Sequence, residues 1–204
     1  MNLVWKFLAG FLIGSIPFAK VAMWGTGIDI TKVGSKNPGF NNVLRVSSKW
    51  RAAIALIGDI CKGFAALLLL SRGESPGMAL WVIGIASVMG HCWSPFLGFN
   101  GGKGVATTVG VLLYLAPWIT VVCLPLYLIL RFFGRKMHWR QEGAIASLST
   151  MFVISTVVLA LSGIESGMFA YITLAIVLVR HRPNLREALS PRERAGAKAP
   201  GEGS

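Results

Sequence analysis

A series of apolar segments constrains this chain more than any other feature of its sequence. They lie at roughly 3–24, 52–70, 78–93, 104–116, 117–130, 144–162 and 167–179. A helix needs about 20 apolar residues to cross a bilayer, so the adjacent segments 104–116 and 117–130 are short for a crossing. Hydrophobic residues make up 54% of the chain and charged residues only 14%, against roughly 25% charged in soluble domains. The sequence therefore predicts an all-α, polytopic integral membrane protein.

The positions of the cations indicate how many of these segments cross. Seven crossings place five Lys or Arg in 25–51, one in 94–103, four in 131–143 and six in 180–204 on one side, sixteen of the twenty in the chain. Cytoplasmic loops carry such an excess. We therefore expect seven transmembrane helices, with the N-terminus outside and the C-terminus in the cytoplasm. A single span over 104–130 would divide the cations, whereas a five-span version with a re-entrant hairpin there keeps the same sidedness.

The chain is expected to form one membrane domain, 1–189, followed by a solvated tail, 190–204. Its polar, glycine-rich stretches are expected to form cytoplasmic active-site loops at 25–51, 94–104 and 180–187, while the outer connections are short and plain. The net charge of +12 is accounted for by this topology, so it does not indicate nucleic acid. The three cysteines have no metal-ligand or redox spacing and are expected to be small hydrophobic residues: Cys61, Cys92 and Cys123.

The stretch GSKNPGFNNVLR, residues 34–45, is dense in hydrogen-bonding side chains and ends on an arginine. Backbone N–H groups, a serine hydroxyl, asparagine amides and a guanidinium suit a bound phosphate. An ordinary polar loop is the alternative.

The stretch GFNGGKGVATTVG, residues 98–110, matches neither the Walker A pattern nor GxGxxG. Its glycines 101, 102 and 104 would let the backbone approach an anion closely. Lys103 supplies positive charge there, and the following helix presents free N–H groups. Close helix packing by the glycines is the alternative, but it leaves Lys103 unexplained.

Further polar residues lie in or beside the spans. Asp59 and Lys62 are three residues apart on one helix face. They are expected to form a structural ion pair or to contact the substrate. The stretch RHRPN, 180–184, follows the last span; topology alone accounts for its arginines, but not for His181 and Asn184. A histidine general base has only His91, His138 and His181 as candidates.

Several chemistries are excluded by what the sequence lacks. It has no GxSxG nucleophile elbow, and no histidine is followed at the fifth position by aspartate. Its eight acidic residues are too few for a two-carboxylate or carboxylate-held metal site, so we predict no metal and no cofactor.

Five blocks in order resemble the bacterial acyl-phosphate-dependent glycerol-3-phosphate acyltransferases, the PlsY family. The blocks are GSIPF at 14–18, GSKNPGFNNVLR at 34–45, DICKG at 59–63, GHCWSPFLGFNGGKGVAT at 90–107 and RHRPN at 180–184. The resemblance implies transfer of an acyl chain from acyl phosphate to the sn-1 hydroxyl of glycerol 3-phosphate. The products would be lysophosphatidate and inorganic phosphate, the first step of phospholipid synthesis. It also implies a bacterial inner-membrane enzyme with a cytoplasmic active site, supplied by a soluble enzyme that makes acyl phosphate.

The resemblance also implies residue roles. Ser35 and Arg45 would position glycerol 3-phosphate, Lys103 would hold the acyl phosphate with the glycines of its loop, and His181 and Asn184 would complete the catalytic site. The expected substrate-binding residues are Gly34, Asn37, Asn42, Gly101, Gly102, Gly104, Thr107 and Ser147. The expected supporting residues are Asp59, Lys62, His91 and Glu193.

The absence of an activated serine or cysteine predicts direct attack of the glycerol hydroxyl on the acyl carbonyl, without an acyl-enzyme. Either His181 or a substrate phosphate oxygen would accept the proton. A transporter for a phosphorylated solute is the alternative function. A transporter would need polar groups at the bilayer midplane and access from both faces, whereas here the polar stretches lie on one face.

Overall fold

A computed structural model describes residues 2–190, and the regular secondary structure of this part of the chain is all helical, with no strand. Its α-helices are α1 (Leu3–Ser15), α2 (Phe18–Ala22), α3 (Phe40–Val46), α4 (Lys49–Leu70), α5 (Met78–Cys92), α6 (Val105–Leu115), α7 (Pro117–Lys136) and α8 (Glu142–Leu189). Five segments are long and apolar enough to cross a membrane: Leu3–Ala22, Lys49–Leu70, Met78–Leu97, Pro117–Lys136 and Glu142–Leu189. The all-helical membrane architecture predicted from the sequence is confirmed.

The first apolar segment is interrupted at Ile16 and Pro17, between α1 and α2. Proline cannot donate the backbone hydrogen bond that a continuous helix requires. Side chains donate to the carbonyls at this break: Lys62 Nζ donates to Ile16 O (2.8 Å) and Ser94 Oγ donates to Ser15 O (2.7 Å). The break therefore ties the first segment to α4 and to the end of α5.

Small residues allow two pairs of helices to pack closely. A Cβ on Gly14 of α1 would lie 1.9 Å from Ser87 O of α5, and one on Gly90 of α5 would lie 2.0 Å from Phe11 O of α1. Helices α4 and α6 approach in the same way, through Gly63 and Gly110. Such contacts are typical of helix association in membranes, where the packing of small residues replaces the hydrophobic effect.

Helix α6 ends at Leu115, and α7 begins at Pro117. Ala116, between them, has φ −144 and ψ 61, so the chain turns there. Proline at the first position of α7 loses no helical hydrogen bond. The single continuous helix over 104–130 that we considered does not form.

Helix α8 is a hairpin of two arms, 142–162 and 164–189, joined at Gly163, whose φ of 86 and ψ of 174 are not helical. Thr156 Oγ1 lies 2.8 Å from the Tyr171 hydroxyl across the arms. At the open end, Gln141 Nε2 donates to Glu187 Oε2 (2.6 Å). These contacts show that the arms run antiparallel.

Two expectations for the connections are corrected. Residues 180–187, predicted as a loop, lie in the second arm of α8, which continues through Pro183. A proline inside a helix costs about 3 kcal/mol, and contacts of Arg180 and Asn184 with other segments hold this part of the arm in place. The segment 25–51 contains α3 and the start of α4 in addition to polar loop.

Candidate active site

The glycine–lysine loop, residues 98–104, lies directly on the C-terminal end of α5. Gly101 N–H donates to Cys92 O (3.1 Å) and Gly102 N–H donates to His91 O (3.0 Å). A Cβ on Gly101 would lie 2.1 Å from His91 O, and one on Gly102 would lie 2.1 Å from His91 Nε2. Both positions therefore require glycine because of close approach. Since both N–H groups bond to α5, they also satisfy carbonyls that a helix end leaves unpaired.

The anion-binding features of this loop begin one residue later. Gly104, with φ +87, is the N-cap of α6, and Thr108 N–H is the first to bond back, to Gly104 O (2.8 Å). The preceding N–H groups at this helix start have no intrahelical acceptor, an arrangement that favours anions. The hydroxyls of Thr107 and Thr108 are buried here and have no hydrogen-bond partner among the described residues. Lys103 and the start of α6 together present a surface with the chemistry that an anion would need.

Lys103 is half-buried and lies near two other cations, Arg180 and Arg45. Burial lowers the pKa of its ammonium below the usual range. The charges of Arg180 and Arg45 lower this pKa further, and the carboxylate of Glu187 partly opposes them. The structure thus gathers positive charge from α3, the glycine–lysine loop and α8. Bringing these like charges together costs free energy, which a bound phosphate would offset.

The segment 34–45 is organised around the buried side chain of Asn42. Its Oδ1 accepts from Ser35 N–H (2.8 Å), and its Nδ2 donates to Ile30 O (3.1 Å) and Val33 O (3.0 Å). Gly34, with φ +59, leaves room for this amide, since a Cβ there would lie 2.2 Å from Asn42 Oδ1. The amide of Asn42 is occupied by these bonds, so the geometry gives it a part in placing Ser35.

The remaining predicted residues of this segment lie at its surface. Ser35 and Arg45 are exposed, and Arg45 is close enough to Lys103 to act on its charge. The half-buried Asn37 places its Nδ2 near Gly39, where an added Cβ would be 3.0 Å away. Exposed polar groups next to buried, fixed ones are available to a ligand.

His181 lies on the second arm of α8 and is 3% exposed. Its Nδ1 is 2.8 Å from Val177 O. Because a carbonyl can only accept, the proton of the neutral ring lies on Nδ1, and Nε2 carries the lone pair. His181 therefore has the tautomer that a general base at Nε2 requires.

Asn184 is oriented by two residues that the sequence did not single out. Its Nδ2 donates to Gln141 Oε1 (2.5 Å), and Gln141 Nε2 donates to Glu187 Oε2 (2.6 Å). A carboxylate only accepts, so Glu187 fixes the orientation of the Gln141 amide, and Gln141 in turn fixes that of Asn184. The Asn184 Oδ1 is left to accept a hydrogen bond elsewhere. Gln141 has φ 57, an unusual value for a non-glycine residue.

Asp59, Lys62 and His91 form a buried cluster beneath the glycine–lysine loop. Lys62 Nζ is 2.7 Å from Asp59 Oδ1, and His91 Nδ1 is 3.4 Å from the same oxygen. The pairing expected from the i,i+3 spacing is present. The cluster contacts the loop through His91, whose ring lies against Gly102, so these three residues support the loop from below.

Ser147 and Glu193 complete the set of predicted residues. The Ser147 hydroxyl is buried and donates to Gly143 O (2.6 Å), so its proton is engaged within the first arm of α8. Glu193 lies outside the described residues, as does almost all of the predicted tail. Residues 2–190 contain no cluster of His, Cys, Asp and Glu suited to a metal.

Arg180 is the main contact residue that sequence reasoning missed. Its guanidinium bonds to the carbonyls of Gly101 and Gly102. The sequence offered a signal, an arginine beside His181, but membrane topology alone accounted for a cation at that position.

Comparison with known proteins gives consistent results. The family model described as glycerol-3-phosphate acyltransferase matches residues 4–191. The chain is 36% identical over 207 residues to a glycerol-3-phosphate acyltransferase of Laribacter hongkongensis (strain HLHK9), covering 97% of this chain and 98% of the relative. It is 37% identical over 189 residues to one of Neisseria meningitidis serogroup A (strain DSM 15465 / Z2491), covering 90% of this chain and 92% of the relative.

Two solved structures are similar over nearly the whole chain. Both are crystal structures of PlsY, an integral membrane glycerol 3-phosphate acyltransferase. The glycerol 3-phosphate form has a TM-score of 0.81 at 29% identity and covers 94% of each chain. The lysophosphatidic acid form has a TM-score of 0.81 at 28% identity and covers 94% of this chain and 93% of that one.

Proposed function

The chain belongs to the glycerol-3-phosphate acyltransferase family, and from this premise we propose that its acyl donor is an acyl phosphate. The acceptor is the sn-1 hydroxyl of glycerol 3-phosphate, and the products are 1-acyl-glycerol 3-phosphate and inorganic phosphate. The observation that carries the proposal is the convergence of Arg45, Lys103 and the start of α6 at one end of the bundle. Two substrates that each bear a phosphate need more than one cationic contact.

In this proposal the two phosphates bind to different elements. Ser35, before α3, and Arg45, on α3, hold glycerol 3-phosphate, with Gly34, Asn37 and Asn42 shaping that segment. Lys103 and the start of α6, including Thr107, hold the phosphate of the donor. Gly101 and Gly102 contribute the shape of the loop, because their N–H groups already bond to α5.

The acyl group passes directly to the glycerol oxygen. The hydroxyl attacks the acyl carbonyl, a C–O ester bond forms, and the bond from the carbonyl carbon to the phosphate oxygen breaks to release phosphate. The contacts of the two buried histidines support this: among the described residues neither ring hydrogen-bonds a serine hydroxyl or a cysteine thiol, since His91 contacts Asp59 and His181 Nδ1 contacts a backbone carbonyl. An acyl phosphate is already activated, so positioning and charge stabilisation can supply the remaining rate enhancement.

The hydroxyl proton passes to His181 Nε2 in this scheme. The Nδ1 contact with Val177 O gives Nε2 the lone pair, and the neighbouring charge of Lys103 would stabilise negative charge that develops on the substrate. Asn184 Oδ1, held by the Gln141 amide, accepts a hydrogen bond from a substrate hydroxyl. Ser147, on the first arm of α8, is a further candidate substrate contact.

The protein crosses the inner membrane of a bacterial cell seven times, and its active site faces the cytoplasm. The excess of cations on this end supports that orientation, and the bilayer gives the long-chain donor access from the side. A soluble enzyme that produces acyl phosphate would supply the donor from the cytoplasm.

The test is acyl transfer by the purified protein in lipid nanodiscs, given palmitoyl phosphate with and without glycerol 3-phosphate. We expect release of phosphate that depends on glycerol 3-phosphate, with the 1-acyl isomer as product, and loss of both in Lys103→Ala. The control Lys136→Ala removes an exposed lysine from the end of α7 and should leave the rate unchanged. Transfer from palmitoyl-CoA but not from palmitoyl phosphate would reject the proposed donor, and a trapped acyl-protein intermediate would reject direct transfer.

A further inference from the structure

Arg180 bridges the second arm of α8 and the glycine–lysine loop. Its Nη2 donates to Gly101 O (2.7 Å) and its Nε donates to Gly102 O (3.1 Å). The guanidinium carbon lies 5.8 Å from the centroid of the Trp93 ring, beside the same loop. The planar donor group thus contacts two successive carbonyls and an aromatic side chain, a geometry that suits arginine and that lysine cannot reproduce.

These contacts hold residues 101 and 102 from both sides. Their N–H groups bond to Cys92 O and His91 O at the end of α5, and their carbonyls bond to Arg180 on α8. The next residue along the chain is Lys103, and α6 starts two residues after that. Any rotation of the two glycine residues would therefore move the Lys103 ammonium and the free N–H groups of α6.

We propose that Arg180 is a positioning residue for the acyl donor: it fixes the glycine–lysine loop so that Lys103 and the start of α6 meet the donor phosphate. The inference rests on the proposed function, because it concerns the phosphate site assigned there to the acyl phosphate. Arg180 acts through the loop, because the two guanidinium nitrogens that donate hydrogen bonds, Nε and Nη2, both donate to loop carbonyls.

The energetic reason is the flexibility of the segment that Arg180 holds. Glycine loses more conformational freedom on ordering than any other residue, and the loop carries three glycines within four residues. Hydrogen bonds to a charged donor are worth roughly twice neutral ones, so the guanidinium offsets part of this entropy before the donor arrives. Without it, donor binding would have to order the loop itself.

The first experiment compares Arg180→Ala and Arg180→Lys with wild type in nanodiscs, varying each substrate separately. We expect kcat/KM for palmitoyl phosphate to fall about 100-fold in Arg180→Ala and about tenfold in Arg180→Lys, mainly through KM, because small misplacements of a positioning group have effects of this size. The KM for glycerol 3-phosphate should stay within about twofold. The matched control is Arg182→Ala, which removes an exposed arginine from the same arm and should change neither constant.

Two further readouts separate positioning from a general loss of structure. Hydrogen–deuterium exchange of residues 98–106 should speed up in Arg180→Ala, while exchange in α4 and in the first arm of α8 stays as in wild type. Millimolar guanidinium ions should restore part of the donor kcat/KM of Arg180→Ala and should have no effect on Arg182→Ala. If Arg180→Ala does not fold, Arg180→Lys carries the same substrate test.

The outcomes distinguish this inference from the proposed function. If wild type does not use palmitoyl phosphate, the proposed function is rejected whatever the variants do. If wild type is active but Arg180→Ala and Arg180→Lys keep the wild-type KM for the donor, or raise the KM for glycerol 3-phosphate instead, only the positioning role is rejected. An equal fall in kcat/KM for both substrates, together with faster hydrogen–deuterium exchange throughout the bundle, would also reject the positioning role and indicate a purely structural one.

Discussion

Lys103 is held in surroundings that disfavour its own charge. Burial, and then the charges of Arg180 and Arg45, lower the pKa of its ammonium, with Glu187 acting in the opposite direction. Binding a phosphate requires the protonated form, which is present below this pKa and lost as the pH rises through it. Donor kcat/KM should therefore fall on the alkaline side at a pH below that expected for an ordinary lysine.

The corresponding measurement is donor kcat/KM from pH 6 to 10.5 for wild type and Lys103→Arg. An arginine stays protonated throughout this range because its pKa lies well above it. The variant should be slower at neutral pH but should lose the alkaline fall of the wild type. An unchanged alkaline fall in Lys103→Arg would assign that titration to another group.

A second prediction at residue scale concerns Gly102. In Gly102→Ala the new methyl group would lie 2.1 Å from His91 Nε2, so the loop or the ring must move. We expect donor kcat/KM to fall about 100-fold, by the same misplacement of Lys103. The control is Gly98→Ala in the same loop, where an added Cβ meets nothing within 4 Å but φ is +57. This control variant costs about 1–2 kcal/mol of backbone strain. Activity above one tenth of wild type in Gly102→Ala would contradict the steric account.

The residues that sequence analysis identified share a local signal. Asp59 and Lys62 could be paired because a charge within a span needs a nearby partner and both lie on one helix face. Arg180 was missed because its partner, Gly101, is 79 residues away in sequence, and only the packed fold brings them together. The bonds of Asn42 were equally hidden, since a buried amide and an exposed one look alike in a polar stretch.

At the scale of helices, hydropathy located the elements better than their ends. The turn between α6 and α7 falls at Ala116, where the sequence divided 104–116 from 117–130. The polar stretch 180–187 read as a loop because it is charged and contains a proline, yet contacts across the bundle keep it helical. Charge marks the end of the bilayer, and a helix can continue beyond it into water.

The joint of the α8 hairpin gives a stability prediction. Gly163 has φ 86 and ψ 174, a region that glycine almost alone occupies, and an added Cβ would meet nothing within 4 Å. Gly163→Ala should therefore cost about 1–3 kcal/mol of stability from backbone strain alone. Activity per folded molecule should stay within about twofold, because the joint lies at the far end of the arm from Arg180. Thermal unfolding in detergent would measure the loss of stability in Gly163→Ala, with Ser162→Ala as the control. An unchanged midpoint would contradict the strain.

The open end of the same hairpin gives a prediction for catalysis. In Glu187→Gln the side chain at 187 becomes able to donate or accept, so it no longer fixes the Gln141 amide, and Asn184 loses its set orientation. We expect kcat to fall about tenfold, or ~1.4 kcal/mol of transition-state stabilisation. Glu142→Gln, at the start of α8 and 3.7 Å from Arg135, is the matched control. A kcat equal to that of wild type in Glu187→Gln would show that Asn184 is oriented by other contacts.

At the scale of the molecule, contacts between connecting segments follow the predicted sides. Arg131 bonds to Asn41 (3.2 Å), which joins two segments predicted to be cytoplasmic. At the other end, Lys6 pairs with Glu74 (2.7 Å). Ala116 lines a cavity of about 410 Å³ there, together with Ser71, Pro76 and Ser162. Helix α6 therefore runs from the end that holds Lys103 to the opposite end, which favours seven crossings over a re-entrant hairpin.

This topology predicts which single cysteines a membrane-impermeant maleimide reaches once Cys61, Cys92 and Cys123 are replaced. Ser75→Cys, in an exposed outer connection, should react in spheroplasts, and Met137→Cys, 61% exposed, only in inverted vesicles. Trp118→Cys, after the α6–α7 turn and 82% exposed, decides the number of crossings. With seven spans it reacts in spheroplasts, because α6 reaches the outer surface. A re-entrant hairpin would leave the cysteine at 118 in the bilayer, where it would react from neither side. Reaction only in inverted vesicles would reject both arrangements, because the α6–α7 turn would then lie in the cytoplasm.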